Sequence, residues 1–353
     1  AAKVGFETAA HAPYPEIPTG GGPTLASVEV VSVSFQGDSH TADLVAFVDW
    51  IAQSAWLSQV VGEYGIVGIQ QHVHVDLPST APSAVTDDDV QALLGAKVAD
   101  GTLPTAQAQD PPFLYLVFFP DGTSVTRLGG DACSANPGNG YHDSLGGPAP
   151  NAPYIVVPAC FPRFSALLSE LAGMELETAR LLVDALTDPS PRNQPAYGLT
   201  DNSNPWTSLG AELGDFCWGR LAQEGSYTLQ RVWSNEAAAN AGEPCIPAAP
   251  GSVPFGMTAS PQEIQTVQVA VPFAFTVTGW SQAPVADWSF QAHSWVGEYA
   301  IETVLDRDTL NNGQTATLTV TIPYSVPPGT YGAVRITALS GGNPSWPVAF
   351  VVR

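Results

Sequence analysis

The apolar residues of this 353-residue chain change their repeat at one place, and that change limits the folds open to it. A helix buries every third or fourth residue on one face, whereas a half-buried strand buries every second. Up to about residue 246 both repeats occur in turn. Beyond Ile246-Pro247-Ala248-Ala249-Pro250-Gly251-Ser252-Val253-Pro254 only the two-residue repeat remains. A Pro- and Gly-rich stretch between two patterns reads as a linker. The expected organisation is an extended arm over residues 1–26, an α+β domain over 27–247, a linker at 248–253 and an all-β domain over 254–353. The chain is long enough for two cores of ordinary size.

The first region reads β-α-β-α-β-β-α. Ser27–Phe35 alternates as a strand. Leu44, Phe47, Val48, Ile51 and Ala55 recur at helical spacing after a cap at Ser39 or Thr41, and Trp56 and Leu57 extend that face toward Tyr64. Val67–Val75 is a second strand. Thr86-Asp87-Asp88-Asp89 opens a helix, with Thr86 as cap and the carboxylates at the positive end of the dipole. Phe113–Phe119 is apolar almost throughout, as a strand covered on both faces must be. Tyr154–Pro158 is a shorter strand of the same kind, and a helix follows at about 174–186. In the second region, strands at 266–271, 273–278, 316–322 and 333–337 alternate between turns such as Asn311-Asn312-Gly313 and Pro327-Pro328-Gly329. About a hundred residues of short strands predict an immunoglobulin-like sandwich. Tyr331 is placed as its late-strand tyrosine, and Trp288, Phe290 and Trp295 as its core candidates.

The net charge of −22, from 33 acids against 11 bases, repels a phosphate backbone or an anionic membrane surface and so argues against both as partners. No apolar run approaches the roughly 20 residues that span a bilayer. The sequence contains no signal peptide, and Ala1-Ala2-Lys3 is compatible with a mature end left by signal cleavage. The cysteines Cys133, Cys160, Cys217 and Cys245 form no CxxC pair and lie in turn-rich surroundings. Disulfides in an exported protein fit that context. Three pairings exist; the simplest is Cys133–Cys160 with Cys217–Cys245, each closing a local loop and contributing ~3 kcal/mol.

Glu177–Leu186 is amphipathic and stops at Thr187-Asp188-Pro189. A zinc peptidase helix needs two ligands one turn apart and a carboxylate beside the first, as in HExxH or HExxE. Arg180, Leu181 and Asp184 stand at those spacings here. Three segments carry a resemblance: Ala179–Pro189; Gly210-Ala211-Glu212-Leu213-Gly214-Asp215-Phe216-Cys217-Trp218; and Tyr227-Thr228-Leu229-Gln230-Arg231-Val232-Trp233-Ser234-Asn235. Together they resemble a group of secreted bacterial and fungal zincin-like proteins with an SHELxExxTDP helix, a GEIGDxC segment and a YTVQxxWSN strand. More distantly they are similar to plant exordium (phosphate-induced) proteins. Gly140-Tyr141-His142 and the strands at 115–120 and 154–158 fit the same pattern. The resemblance covers residues 27–247 and implies a metalloprotease-like scaffold.

It also exposes a departure. Arg180 stands where the family helix has its first His, and Leu181 where it has the adjacent Glu; Asp184 keeps the second acidic position. A guanidinium has no lone pair for a cation, and leucine cannot act as a base. Arg180, at i+3 from Glu177 and i−4 from Asp184, is therefore expected to supply the lost metal's charge through ion pairs. His142, Glu212 and Asp215 are expected near this degenerate site.

Other candidates are His72 and His74, which share a strand face and could ligate a metal, though solvent-facing histidines are the plainer expectation. Metal candidates are thus His72, His74, His142, Asp184 and Glu212. Calcium at Glu212 and Asp215 with Asp188 or Asp201 is a further option, whereas Asp87–Asp89 lacks the spaced ligand pattern of a calcium loop. No nucleophile elbow, P-loop or dinucleotide motif occurs. A glycosidase pair drawn from Glu177, Asp184, Asp188 and Glu212 depends on separation in space. Three functions follow, in this order: a secreted or surface protein that has lost zinc catalysis and acts in binding or extracellular assembly, with a protein or polysaccharide surface or a second copy as partner; an active secreted peptidase with an altered metal site; and a carbohydrate-binding surface protein using Trp206, Trp218 or Trp346. Under the first, no cofactor is expected, with calcium optional and zinc disfavoured.

Overall fold

The computed structural model describes residues 5–104, 112–133, 140–145, 152–160, 168–240, 242–296, 299–339 and 345–353. In the first region the chain runs through β1 (Ser27–Phe35), α1 (Thr41–Ala52), α2 (Ala55–Val61), β2 (Gly68–Leu77), β3 (Ala84–Thr86), α3 (Asp87–Ala99), β4 (Phe113–Phe119), β5 (Ser124–Arg127), β6 (Gly130–Asp131), β7 (Tyr141–Ser144), β8 (Pro153–Pro158), α4 (Glu170–Thr187), β9 (Leu221–Glu224), β10 (Tyr227–Gln230), β11 (Val232–Trp233), α5 (Asn235–Ala239) and β12 (Cys245–Ile246).

Five strands form the main sheet in the order β2-β1-β4-β8-β7, parallel except for β7, which runs antiparallel to β8 at the edge. Parallel neighbours need crossovers, and these cover both faces. Val28, Val30, Leu114, Leu116, Phe118, Ile155 and Val157 face α1, α2 and α4. Val31, Val33, Tyr115, Val117, Tyr154 and Val156 face α3 and the small sheet β3-β5-β6. The almost uninterrupted apolar run of β4 is thereby explained.

The helical pattern after Asp43 breaks at Ser54, whose side chain accepts from Leu57 N and starts α2. The cap of α1 is His40, with no side-chain bond, in place of Ser39 or Thr41. Thr86 and Asp89 form a reciprocal capping box at α3. Among the described residues no single helix is long and apolar enough to cross a membrane; α1 and α2 pass that test only as a pair bent by 59°, and their apolar faces are buried.

Helix α4 starts at the Ser169 cap and is buried on every side from Leu176 onward. It packs against α1, α2, β7, β8 and β10. Such a helix is normally apolar all round, so its charged residues need partners. The disulfides Cys133–Cys160 and Cys217–Cys245 are both present, the simplest of the three pairings, and are compatible with an extracellular protein.

The second region holds β13 (Phe255–Ser260), β14 (Gln265–Val267), β15 (Phe273–Ser281), β16 (Trp288–Val296), β17 (Glu302–Leu305), β18 (Thr309–Leu310), β19 (Thr315–Thr321), β20 (Tyr331–Ala338) and β21 (Trp346–Val352). They form two sheets, β13-β15-β19-β17 and β14-β21-β20-β16-β18. Phe275, Val277, Leu318 and Val320 from one sheet share a core with Phe290, Val334, Ile336 and Phe350 from the other. The arrangement is β-rich, mostly antiparallel and compatible with a sandwich. Trp288 and Phe290 are core residues, whereas Trp295 is half-buried beneath the Arg335 guanidinium at 4.4 Å. The strand expected over 266–271 ends at Val267, because Ala270 takes a φ of +54° and Pro272 follows.

Candidate functional site

Residues three and four apart on a helix stand one above the other, so Glu177, Arg180 and Asp184 form one row on α4. The Arg180 guanidinium lies 3.0 Å from Glu177 Oε2 and 2.8 Å from Asp184 Oδ2. Opposite this row runs the 210–217 segment. Gly214 N donates to Asp184 Oδ1 at 3.0 Å, and Asp215 Oδ1 lies 3.5 Å from Arg180 Nη1. A Cβ on Gly214 would fall 2.7 Å from Arg180 Cγ and 2.9 Å from Asp184 Oδ1, so only glycine permits this approach. Asp215 Oδ2 is fixed by Ala211 N and Glu212 N at 3.1 and 3.3 Å, and Gln230 Nε2 donates to Gly214 O at 2.6 Å. From the edge strand β7, His142 Nε2 meets Glu212 Oε1 at 2.8 Å.

Six groups expected near one another are thus together: Glu177, Arg180, Asp184, His142, Glu212 and Asp215. The side chains of Arg180, Glu177 and Asp184 are 4%, 1% and 0% exposed. Their burial means that charge has to be balanced within the protein. Burial alone would lower the Arg180 pKa, but Glu177, Asp184 and Asp215 outweigh it and raise it. Burial, and then the charge of Glu212, push Asp184 well above the usual carboxylate range despite Arg180. Burial likewise pushes Asp215 up to about 7 and nearby Asp188 to about 6. For His142, burial acts downward, but the Glu212 carboxylate prevails and the pKa rises; Glu212, raised by burial, is brought below its ordinary value by His142. Arg180 and His142 face four carboxylates, Glu177, Asp184, Glu212 and Asp215, and burial is the first cause that raises Asp184 and Asp215 among them.

The zinc implied by the resemblance does not fit these residues. The carboxylates nearest the helix row point at a guanidinium, which offers donors only. Leu181, at the place of the base, is 1% exposed, and its Cδ1 lies 3.0 Å from where a Cβ of Gly140 would stand. It packs as a core residue. Among the described residues no group of three or more His, Cys, Asp and Glu side chains is arranged to hold a metal ion. Asp188 Oδ1 accepts from Ala196 N and Asp201 Oδ1 from Ser203 N, and among the described residues neither is grouped with Glu212 and Asp215 to hold a metal ion.

His72 and His74 do share a face of β2, but they lie at the opposite edge of the sheet from His142, four strand spacings or ~19 Å away. Nor do they face solvent. Helix α1 covers that face, leaving the side chains 3% and 16% exposed. Both bind Ser32 Oγ, at 2.7 Å through His72 Nε2 and 2.8 Å through His74 Nδ1, with Asp49 and Asp76 beyond. A cavity of about 810 Å³ opens beside them, lined by Gln36, Asp38, Thr41, His74 and Asp76, with none of the six clustered residues.

A second polar cluster, not anticipated above, lies on the far side of β7. Arg127 donates to Asp143 at 2.8 Å, Arg192 also pairs with Asp143, and Tyr154 OH donates to Asp87 at 2.6 Å. Strand alternation over Tyr141-His142-Asp143-Ser144 was the available signal, since it sends His142 and Asp143 to opposite faces. Two of the three tryptophans named for sugar binding are buried. Trp206 and Trp346 are 6% and 2% exposed in an aromatic cluster between the two regions, and Trp218 is half-buried.

No protein-family model and no curated protein matches the chain. Among solved structures, it is similar to domains 4 and 5 of the S-layer protein SbsC over 29% of its length and 46% of that chain, at 14% identity and a TM-score of 0.23. It is similar to the M1 domain from titin over 29% of its length and 96% of that chain, at 12% identity and a TM-score of 0.19. A nucleoside hydrolase-related hypothetical protein from Saccharophagus degradans, associated with carbohydrate metabolism, is matched over 93% of this chain and 100% of that one, at 8% identity and a TM-score of 0.28. The chain spans less than half of the SbsC structure.

Proposed function

We propose that this is a secreted or surface-displayed protein on a zincin-like scaffold in which an arginine has taken over the charge of the metal, and that it acts in binding or extracellular assembly rather than hydrolysis. The observation that carries the reading is Arg180, buried and paired at once with Glu177, Asp184 and Asp215. A hydrolytic zinc site needs free lone pairs and an open coordination position; a guanidinium amid three carboxylates offers neither. Leu181 in the core removes the general base as well. The mixed sheet with its antiparallel edge strand beside α4, the two disulfides and the β-rich second region, read as an immunoglobulin-like domain, support the scaffold and the compartment.

Elemental analysis of the full chain, purified without chelators, tests the proposal. The expected result is zinc far below one ion per chain and no peptidase activity on unfolded casein. One zinc per chain would overturn it.

A further inference from the structure

Residues 5–26 are not a tail resting on one domain. The segment is extended, apart from one bridge between Thr19 and Tyr197, and what holds it comes from both regions of the chain. Asn312, in a turn of the β-rich region, accepts from Ala9 N at 2.9 Å and donates to Glu7 O at 2.9 Å. Asn235 treats Ile17 the same way, accepting from its N–H at 2.8 Å and donating to its C=O at 2.9 Å. Between these two amide clamps, His11 stacks on Trp280 with ring centres 4.1 Å apart. The Tyr14 ring sits among Trp206, Trp233, Trp280 and Trp346, at 5.8 to 6.2 Å between centres. Two of these rings belong to each region. Tyr14 and Ile17 are 7% and 1% exposed, and a cavity of about 200 Å³ beside Pro13, Tyr14 and Pro15 remains open against Trp206, Gln262 and Trp346.

Side-chain amides that read a backbone, and an aromatic floor under a proline-punctuated extended segment, are the chemistry by which proteins bind peptides. We propose that this junction groove is a recognition site for His11–Ile17 as a peptide, and that it accepts the same segment from a second copy, so that copies join by exchanging arms. This deepens the assembly half of the function proposed above and does not depend on the buried Arg180 cluster. The contacts described lie between the arm and the rest of the chain, so a neighbour's arm satisfies each of them equally, as in other exchanges of an identical element. Gly21, at a φ of +82° with open space around it, supplies the pivot, while Gly20 N and Gly22 N donate to Ala196 O and Pro195 O and anchor the chain on either side of it. Charge agrees: of the 33 acidic residues only Glu7 and Glu16 lie in the arm, so bodies that repel one another at −22 meet through a nearly neutral segment. Exchange should rise with protein concentration and with salt, which screens that repulsion.

The groove supplies its own probe. A Cβ at Gly313 would lie 3.8 Å from the Ala9 Cβ, the spacing of a disulfide. In the full chain, the double variant Ala9→Cys, Gly313→Cys should close within one molecule and report the seat itself. The two single variants, one of them isotopically heavy, are then mixed at high concentration and salt under mild oxidation. Arm exchange predicts a heavy–light disulfide dimer several-fold above either homodimer, reduced to the homodimer level when Tyr14→Ala is added to the Ala9→Cys chain. A double variant that closes while the mixture yields no excess of heavy–light dimer would overturn exchange. Gly313 has a φ of +79°, which strains any side chain there, so the Tm of the double variant is compared with that of Gly313→Cys alone; a double variant that folds, is no less stable than that single variant and does not close would overturn the seat. Neither result bears on zinc content, so this inference and the reading of the Arg180 site fail separately.

Discussion

Replacing Arg180 by methionine keeps the length and much of the volume of the side chain and removes only its charge and donors. In the native protein the guanidinium lies 2.8 to 3.5 Å from three carboxylates whose side chains are at most 9% exposed. With ~4 Å between charge centres and an effective dielectric near 20, each pair is worth ~4 kcal/mol of gross attraction. Much of that is offset by the cost of burying the arginine, and breaking such a network typically costs ~3–5 kcal/mol because charges are left stranded. For a domain of this size that corresponds to a fall in Tm of roughly 6–20 °C at pH 8. The loss should depend on pH. Without Arg180, Asp184 and Asp215 are held protonated to still higher pH; a carboxylate whose folded pKa is raised stabilises below its unfolded pKa and loses that contribution as pH rises through the folded value. At pH 5 the gap between Arg180→Met and the unaltered protein should therefore shrink by more than half. Thermal melts followed by circular dichroism at both pH values measure it. A gap under ~2 °C at pH 8, or one of equal size at pH 5, would refute the claim that Arg180 neutralises buried carboxylates.

The same sign governs the unaltered protein. Asp215 at about 7, Glu175 at about 7 and Asp188 at about 6 are all raised by burial, and His142 is raised by Glu212, so Tm should fall as pH rises from 5.5 to 8; a flat or rising profile would contradict this. Gly214→Ala places a methyl 2.7 Å from Arg180 Cγ and should cost ~1–3 kcal/mol in chemical denaturation, where an unchanged midpoint would show that the 210–217 segment approaches α4 less closely. Removing the Cys217–Cys245 bridge with paired alanines opens a loop of 28 residues and should cost ~3–4 kcal/mol, read as a lower Tm under non-reducing conditions; an unchanged Tm would show the loop held by packing alone.

Local patterns carried much of this structure in the sequence. The i+3 and i−4 spacing of Glu177, Arg180 and Asp184 put them in one row on the helix, which made their pairing legible. The apolar run of β4 announced cover on both faces. What the sequence withheld depends on which surfaces meet. His72 and His74 share a strand face, as alternation requires, but nothing local says that α1 covers it and supplies Asp49. The arm carries no periodic pattern, so the seat of Tyr14 among four tryptophans, contributed by segments nearly two hundred residues or more away, was beyond any local rule. Asp215 was placed near the site by resemblance, while its contact with Arg180 rests on Gly214, where the absence of a Cβ is what matters.

Under the proposed reading, a guanidinium occupies the place where catalysis would need a metal. Crystals of the full chain, soaked in zinc and measured at the zinc absorption edge, decide between the two. Guanidinium density should bridge Glu177, Asp184 and Asp215, with no anomalous peak between residues 180 and 184. An anomalous peak there, with Arg180 displaced and Asp184 and Glu212 turned toward it, would overturn the reading.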